Sequence, residues 1–379
     1  MGEIARIEPT RRLHAVAAEP LRVSSPEFNK GGSVMRHIWI IALSCCIGGV
    51  AAAQESARIL TYASPYSPNH PFSRADKIWI RWVEEQSGGS LKINALWSGS
   101  LISSEHSLLE IRHGVADIGL ITPIYVRGGA HLLRVQTGFY GGAETYEQQV
   151  AVYRCLAEAS PQYARELEGL KILAVQGGTL PGVLTRDRPI RSLEDLKGLR
   201  IRVPTELLRV MQGLGADAVS MPMRDVYSAL AKGVIDGVVA PADTLKSLHF
   251  GEVASYYTRL KVPRGAYPAR AMGLRCWRSL SNANRAVLEA AIPVWEAAMA
   301  QEIRVAETAG EAEGHRLGVD FINIAPEEQK RFDALYEAEG ERNARDLGRF
   351  DIDGESVFRH ARRIARGIEL TGKVVCNEN

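Results

Sequence analysis

SLEDLKGLRIRVPTELLRVMQGLGADAVSMPMRDVYSALAKGVIDGVVAP, residues 192–241, decides the fold class. Ser192 and Asp195 have the spacing of a capping box, which predicts a short helix stopping at Gly198. The next five residues, LRIRV, alternate in the strand period: Leu199, Ile201 and Val203 face one way, Arg200 and Arg202 the other. Pro204 ends that strand, so Arg202 is the last polar side chain before its carboxyl end. Ligands of open α/β sheets sit at that edge, which makes Arg202 a candidate binding residue. A solvated arginine in a weak surface ion pair fits the same periodicity. Farther on, MRDVYSALAKGVIDGVV reads as a helix running into another strand, with Val226, Leu230 and Val234 as its buried stripe and Tyr227 beside it. Strands separated by about 20 residues of helix are the rhythm of a βαβ sheet.

Composition sets the bounds around that stretch. The chain has 379 residues, of which 46% are hydrophobic and 24% charged, with a formal net charge of +2. That is enough chain for two domains, and the near-balanced charge carries no basic footprint for nucleic acid. No GxSxG, HExxH, Walker A or CxxC phrase occurs, and the 9 histidines are scattered without metal-ligand spacing. Neither an enzyme nor a bound cofactor or metal is therefore expected.

The front of the chain points to secretion. Residues 1–34 are polar and aperiodic, and read as an unstructured leader that translation from Met35 would skip. Arg36 and His37 then precede an apolar run from Ile38 to Val50, and Ala51 and Ala53 fit the small-x-small rule. Residues 35–53 thus read as a signal peptide cleaved near Ala53/Gln54, which implies a periplasmic protein. The run is shorter than the about 20 residues of a membrane span, and Cys45 and Cys46 follow a poor lipobox. Cys155, Cys276 and Cys376 remain, an odd number. Cys155 shares a helical pattern with Val150, Val152 and Leu156 and reads as core, with any pairing left open.

Along the mature chain, strands are expected at 58–65, 91–96, 117–123, 171–176, 255–258 and 271–276. Helices are expected at 71–86, with Ile78, Trp79, Trp82 and Val83 on one face, and at 104–113, 145–168 and 282–314. The last of these contains Pro293 and should kink there. Residues 124–142, rich in glycine, read as a long loop. The strand ends nominate further cavity residues: Ser64 and Tyr66, Thr122 and Tyr125, Gln176, Asp243, and Tyr267 at the crossover between domains. His70 lies before the first helix, suited to a turn or a ligand contact, and Trp97 reads as a core anchor or a stacking surface.

Five phrases, in order, resemble the DctP family of solute-binding proteins of TRAP (tripartite ATP-independent periplasmic) transporters. They are SPNHPFSRADKIWIRWVEEQSGGSLKI (67–93), LLEIRHGVADIGLITP (108–123), SLEDLKGLRIRVP (192–204), GADAVSMPMRDVYSALAKGVIDGV (215–238) and LSNANRAVLEAA (280–291). The resemblance implies an α/β protein with a two-domain, periplasmic-binding-protein-like (type II) fold, a hinge cleft and a long helix spanning both domains. One lobe would comprise 54–179 and 266–305, the other 180–265 and 306–379 with the C-terminal helices. Arg202 matches the arginine that grips a substrate carboxylate in the family through a two-pronged salt bridge. The partners implied are a small organic anion and the TRAP membrane permease, with uptake driven by an ion gradient; the protein itself would not span the membrane. A sensory binding protein presenting ligand to a membrane receptor, or an enzyme on the same fold, are the alternative readings. Two departures stand out. Where many relatives carry a second arginine, this chain has GGTLPGVLT (177–185), and the family's ENP phrase is replaced by Ala240-Pro241, followed by Ala242-Asp243.

Overall fold

Two sheets organise the computed structural model, which describes residues 57–126 and 128–376. The leader, the signal segment and its cleavage point lie outside the described residues. The first sheet is built from β1 (Arg58–Ala63), β2 (Leu91–Leu96), β3 (Ile118–Leu120) and β4 (Leu170–Gln176). The second begins with β5 (Gly182–Thr185), β6 (Arg200–Arg202), β7 (Asp217–Val219), β8 (Gly237–Ala240) and β9 (Tyr256–Arg259). Then β10 (Tyr267–Gly273) returns to the first sheet, and β11 (Asp320–Asn323) joins the second. The orders are β2-β1-β3-β10-β4 and β11-β9-β5-β8-β6-β7. The chain therefore passes between the sheets at 177–181 and again at 260–266. Such straps are where a cleft closes.

Local chemistry explains the first lobe. Pro71 opens the helix Pro71–Gln86, where a missing N–H costs nothing, and the His70 ring caps it by accepting from Phe72 N. Its buried face holds Ala75, Asp76, Trp79 and Val83, whereas Ile78 and Trp82 are only half-buried. Asp76 on that face is wholly buried. Its carboxylate receives Arg270 Nε at 2.7 Å and Nη2 at 3.0 Å, Trp295 Nε1 at 2.8 Å and the Tyr62 hydroxyl at 2.6 Å. Four elements of the lobe, contributed from 62 to 295, meet on one carboxylate.

The helix Asn282–Leu317 runs through Pro293 without a break and touches both lobes. It packs on the first helix, and farther along it lies against 241–245. Gly310 permits that approach, because a Cβ there would fall 2.2 Å from Ala242 O.

Several expectations need correction. The stretch 193–196 closes as a 3-10 turn rather than an α-helix, although Ser192 and Asp195 do form the capping box. Val234 is exposed, because helix Met223–Ala231 ends three residues earlier; its buried stripe is Val226, Ala229 and Leu230. The loop expected at 124–142 contains the helix His131–Val135 flanked by 3-10 turns. The strand expected at 271–276 begins at Tyr267, and Leu274–Ser279 is helical. The tail also departs from the lobe division. Helix Pro326–Asp346 puts Phe332 and Tyr336 into the second lobe's core, but helix Gly354–Thr371 buries Val357, Phe358, Ala361 and Ile364 in the first lobe's. Cys376 then bonds to Cys155, 221 residues away, so Cys155 is both core and cross-link. Cys276 is free. Among the described residues no helix is long and apolar enough to cross a membrane.

Candidate functional site

The carboxyl ends of β1, β3, β6 and β8 converge on a cavity of about 130 Å³ between the lobes. Apolar groups make most of its wall, among them Phe72, Ile124, Leu207, Met223, Val239 and Leu248. A few polar groups sit in that apolar wall, the usual make-up of a small-molecule site.

Arg202 reaches the cavity as the last residue of β6 and is only 3% exposed. Its Nε donates to Met221 O at 2.9 Å and its Nη2 to the Tyr125 hydroxyl, on the other lobe, at 2.6 Å. The guanidinium lies 5.9 Å from the Tyr125 ring centre. Among the described residues no carboxylate oxygen comes within ion-pair distance of it, and no partner takes the Nη1 protons. A buried guanidinium held by two neutral acceptors retains donors for an anion.

Tyr66, Thr122, Tyr125, Arg202, Asp243 and Tyr267 all line this cavity, so six of the eight expected residues meet there. The Thr122 hydroxyl, however, turns away to donate to Ser104 O at 2.5 Å. Ser64 and Gln176 do not line the cavity. Ser64 Oγ accepts from Tyr66 N at 3.3 Å, and Gln176 Nε2 donates to the Tyr267 hydroxyl at 3.2 Å. Both side chains are spent positioning the tyrosines that do face the cavity. Trp97 packs on Tyr62 at 5.5 Å and is a core anchor. His70 serves both purposes, capping the helix and lining the cavity with its ring stacked on Tyr66 at 4.2 Å. Burial lowers its pKa to about 3, so the imidazole is neutral.

Sequence reasoning missed Arg264 and Glu206. Arg264, on the 260–266 strap, lines the cavity beside Gly178. Glu206, in the turn after β6, takes a hydrogen bond from Thr137 of the other lobe at 3.0 Å, while its Oε2 is buried without a partner. Burial raises its pKa. Neither residue sits in a periodic element, so no pattern marks them.

Asp243 carries the clearest pH signature. Burial pushes its carboxyl up to about 7; the Ser247 hydrogen bond opposes this and nearby Glu307 reinforces it. Glu307 itself accepts from Ala242 N, Asp243 N and the Thr179 hydroxyl. An unfolded aspartate titrates near 4, so between pH 4 and 7 the folded protein holds the extra proton. Stability from this group is complete below pH 4 and is lost as pH rises to 7. Asp243→Asn, which mimics the protonated form, should therefore gain about 1–3 kcal/mol relative to the wild type on going from pH 4.5 to pH 8. Urea unfolding of the ligand-free proteins at both pH values checks this; parallel pH profiles would show that Asp243 titrates normally.

A curated solute-binding protein from Albidiferax ferrireducens is 27% identical over 235 residues, covering 60% of this chain and 67% of its own. For the relatives from Salmonella typhimurium and Roseobacter denitrificans the match spans only 54% and 36% of their length. Among solved structures, a TRAP solute-binding protein from Rhodoferax ferrireducens, in complex with copurified benzoate, superposes with a TM-score of 0.74. It is 20% identical, with 84% of this chain and 100% of that one covered. A marine metagenome TRAP solute-binding protein specific for aromatic acid ligands, in complex with metahydroxyphenylacetate, gives 0.70 at 23% identity, with 82% and 98% covered. These likenesses show the two-domain fold. The family model described as bacterial extracellular solute-binding protein, family 7, matches residues 62–342, and the chain therefore belongs to that family, the DctP solute-binding proteins, which are binding proteins rather than enzymes.

Proposed function

We propose that this protein captures a small organic acid in the cleft, holding its carboxylate by a two-pronged salt bridge from Arg202, and delivers it to a TRAP permease after secretion to the periplasm. One observation carries the reading: a buried guanidinium, fixed by Met221 O and Tyr125, lines the cavity with no carboxylate at ion-pair distance among the described residues. A planar fork of N–H donors matches two carboxylate oxygens.

Magnitudes show what else is needed. Micromolar affinity requires about 8 kcal/mol, and a hydrogen bond to a charged group contributes about 1.5–3. Burial of the acid's body must supply most of the rest. Phe72, Ile124, Leu207, Met223 and Val239, together with the faces of Tyr66 and Tyr267, suit an apolar or aromatic body. Binding of benzoate and metahydroxyphenylacetate by the two solved relatives is in keeping with this. Tyr125 meets Arg202, and Thr137 meets Glu206, across the cleft, so closure would shut the acid in.

A thermal-shift screen of monocarboxylates, dicarboxylates, keto acids and sugar acids tests the reading. At a hundred times its Kd a ligand adds about 2.7 kcal/mol to folding, so at least one acid should raise the melting temperature by several degrees. A panel in which no acid does so overturns the proposal.

A further inference from the structure

Arg264 is a second guanidinium on the cavity wall, and the family resemblance gives no reason to expect it there. It stands in VPRGAYP (262–268), on the strap between β9 and β10. Gly265 beside it is pressed against Thr137, where a Cβ would fall 2.7 Å from that residue's Cα, so the strap is seated firmly on the first lobe. The Arg264 side chain lies over the other strap, at Gly178. A Cβ on Gly178 would fall 2.5 Å from Arg264 Cζ and Nη1. Gly178 is thus the seat on which this arginine rests. The same stretch, GGTLPGVLT, lacks the arginine that many relatives carry.

Among the described residues, no hydrogen bond or ion pair takes up the Arg264 donors. Asp243 and Glu206 are the carboxyl groups on the same cavity, and neither comes within ion-pair distance of it. Both are held toward their neutral forms by burial, so neither offers full compensation. The two arginines come from different walls: Arg202 from the end of β6 beside Tyr125, Arg264 from the strap over Gly178. The wall around them is largely apolar, so a molecule pinned on Arg202 finds in Arg264 the second strong donor group.

We infer that Arg264 is a second anchoring residue, and that the acid carried by this protein has a second oxygen acceptor (a carbonyl, a hydroxyl or another carboxylate) that Arg264 holds. This rests on the capture of a carboxylate by Arg202.

Isothermal titration of three pairs of acids, each pair differing by the second acceptor, tests the inference. The pairs are mandelate and phenylacetate, phenylpyruvate and 3-phenylpropionate, and succinate and butyrate. The wild type should prefer the two-acceptor member of at least one pair by tenfold or more. Arg264→Gln should reduce that preference to within twofold, while the single-acceptor acid changes by less than threefold. Gly178→Ala keeps the charge but displaces the guanidinium, and should reduce the preference in the same way; ligand-free melting of both variants verifies that they fold. A wild type without preference, or an Arg264→Gln variant weakened equally for both members, overturns the inference and leaves carboxylate capture intact. A wild type that binds none of the six acids overturns both.

Discussion

Arg202→Ala should weaken binding of a carboxylate ligand by about 2–5 kcal/mol, roughly thirtyfold to several thousandfold in Kd. The loss is large because the ligand's charge would still be buried in the closed cleft, without its counter-ion. Arg202→Lys should recover little of it. One ammonium cannot reproduce donation to Met221 O, donation to Tyr125 and a fork for two carboxylate oxygens at the same time. Ligand-free stability should change much less, by about 1–2 °C, because among the described residues no ion-paired carboxylate is left behind when the guanidinium goes. Calorimetric titration with an acid that stabilises the wild type, beside ligand-free melting of both proteins, checks the pair of outcomes. A collapse of ligand-free melting, with residual affinity unchanged, would make Arg202 a structural residue.

The second large effect lies behind the cavity wall. Asp76→Ala should cost about 3–5 kcal/mol, because it leaves Arg270, itself 3% exposed, as an unpaired buried cation, and removes the acceptor of Tyr62 and Trp295. Arg270→Met alone should cost a similar amount by stranding the carboxylate. The double substitution Asp76→Ala with Arg270→Met should cost less than the two added together, since neither charge is then abandoned. Urea unfolding of the four proteins closes this cycle. Additive losses would show that the two groups do not depend on one another. Ligand affinity measured on folded material should be little altered, since neither residue lines the cavity.

These two sites differ in how visible they are in the sequence. Arg202 stands out because an alternating pentapeptide closed by Pro204 tells which end of the strand it occupies. Helix Pro71–Gln86 and β2 are equally plain, bounded by proline, glycines and a clear change of period. Asp76 is hidden because its partners lie 194 and 219 residues away, and a single carboxylate on an amphipathic helix looks like any solvated one. The strand β10 is misplaced for a related reason. Pro268 gives no ladder N–H and coincides with a register shift, while the buried Arg270 interrupts the apolar run. The four residues of β5 are buried on both faces and so show no alternation. Arg264 depends on how the two straps cross, which is a property of topology rather than of any local pattern.

The Cys155–Cys376 bond has a practical corollary for anyone who makes this protein. The last helix is stapled to the first lobe, while the helix before it packs on both, with Phe332 in the second lobe's core and the Tyr336 hydroxyl on Thr137 O of the first, so oxidation decides how firmly the chain's end is held. Cytosolic production keeps thiols reduced, and would present the three among the described residues, Cys276 included, to whatever oxidant the purification supplies. Preparations with different redox histories would then differ in how firmly the last helix is held to the first lobe while sharing one sequence.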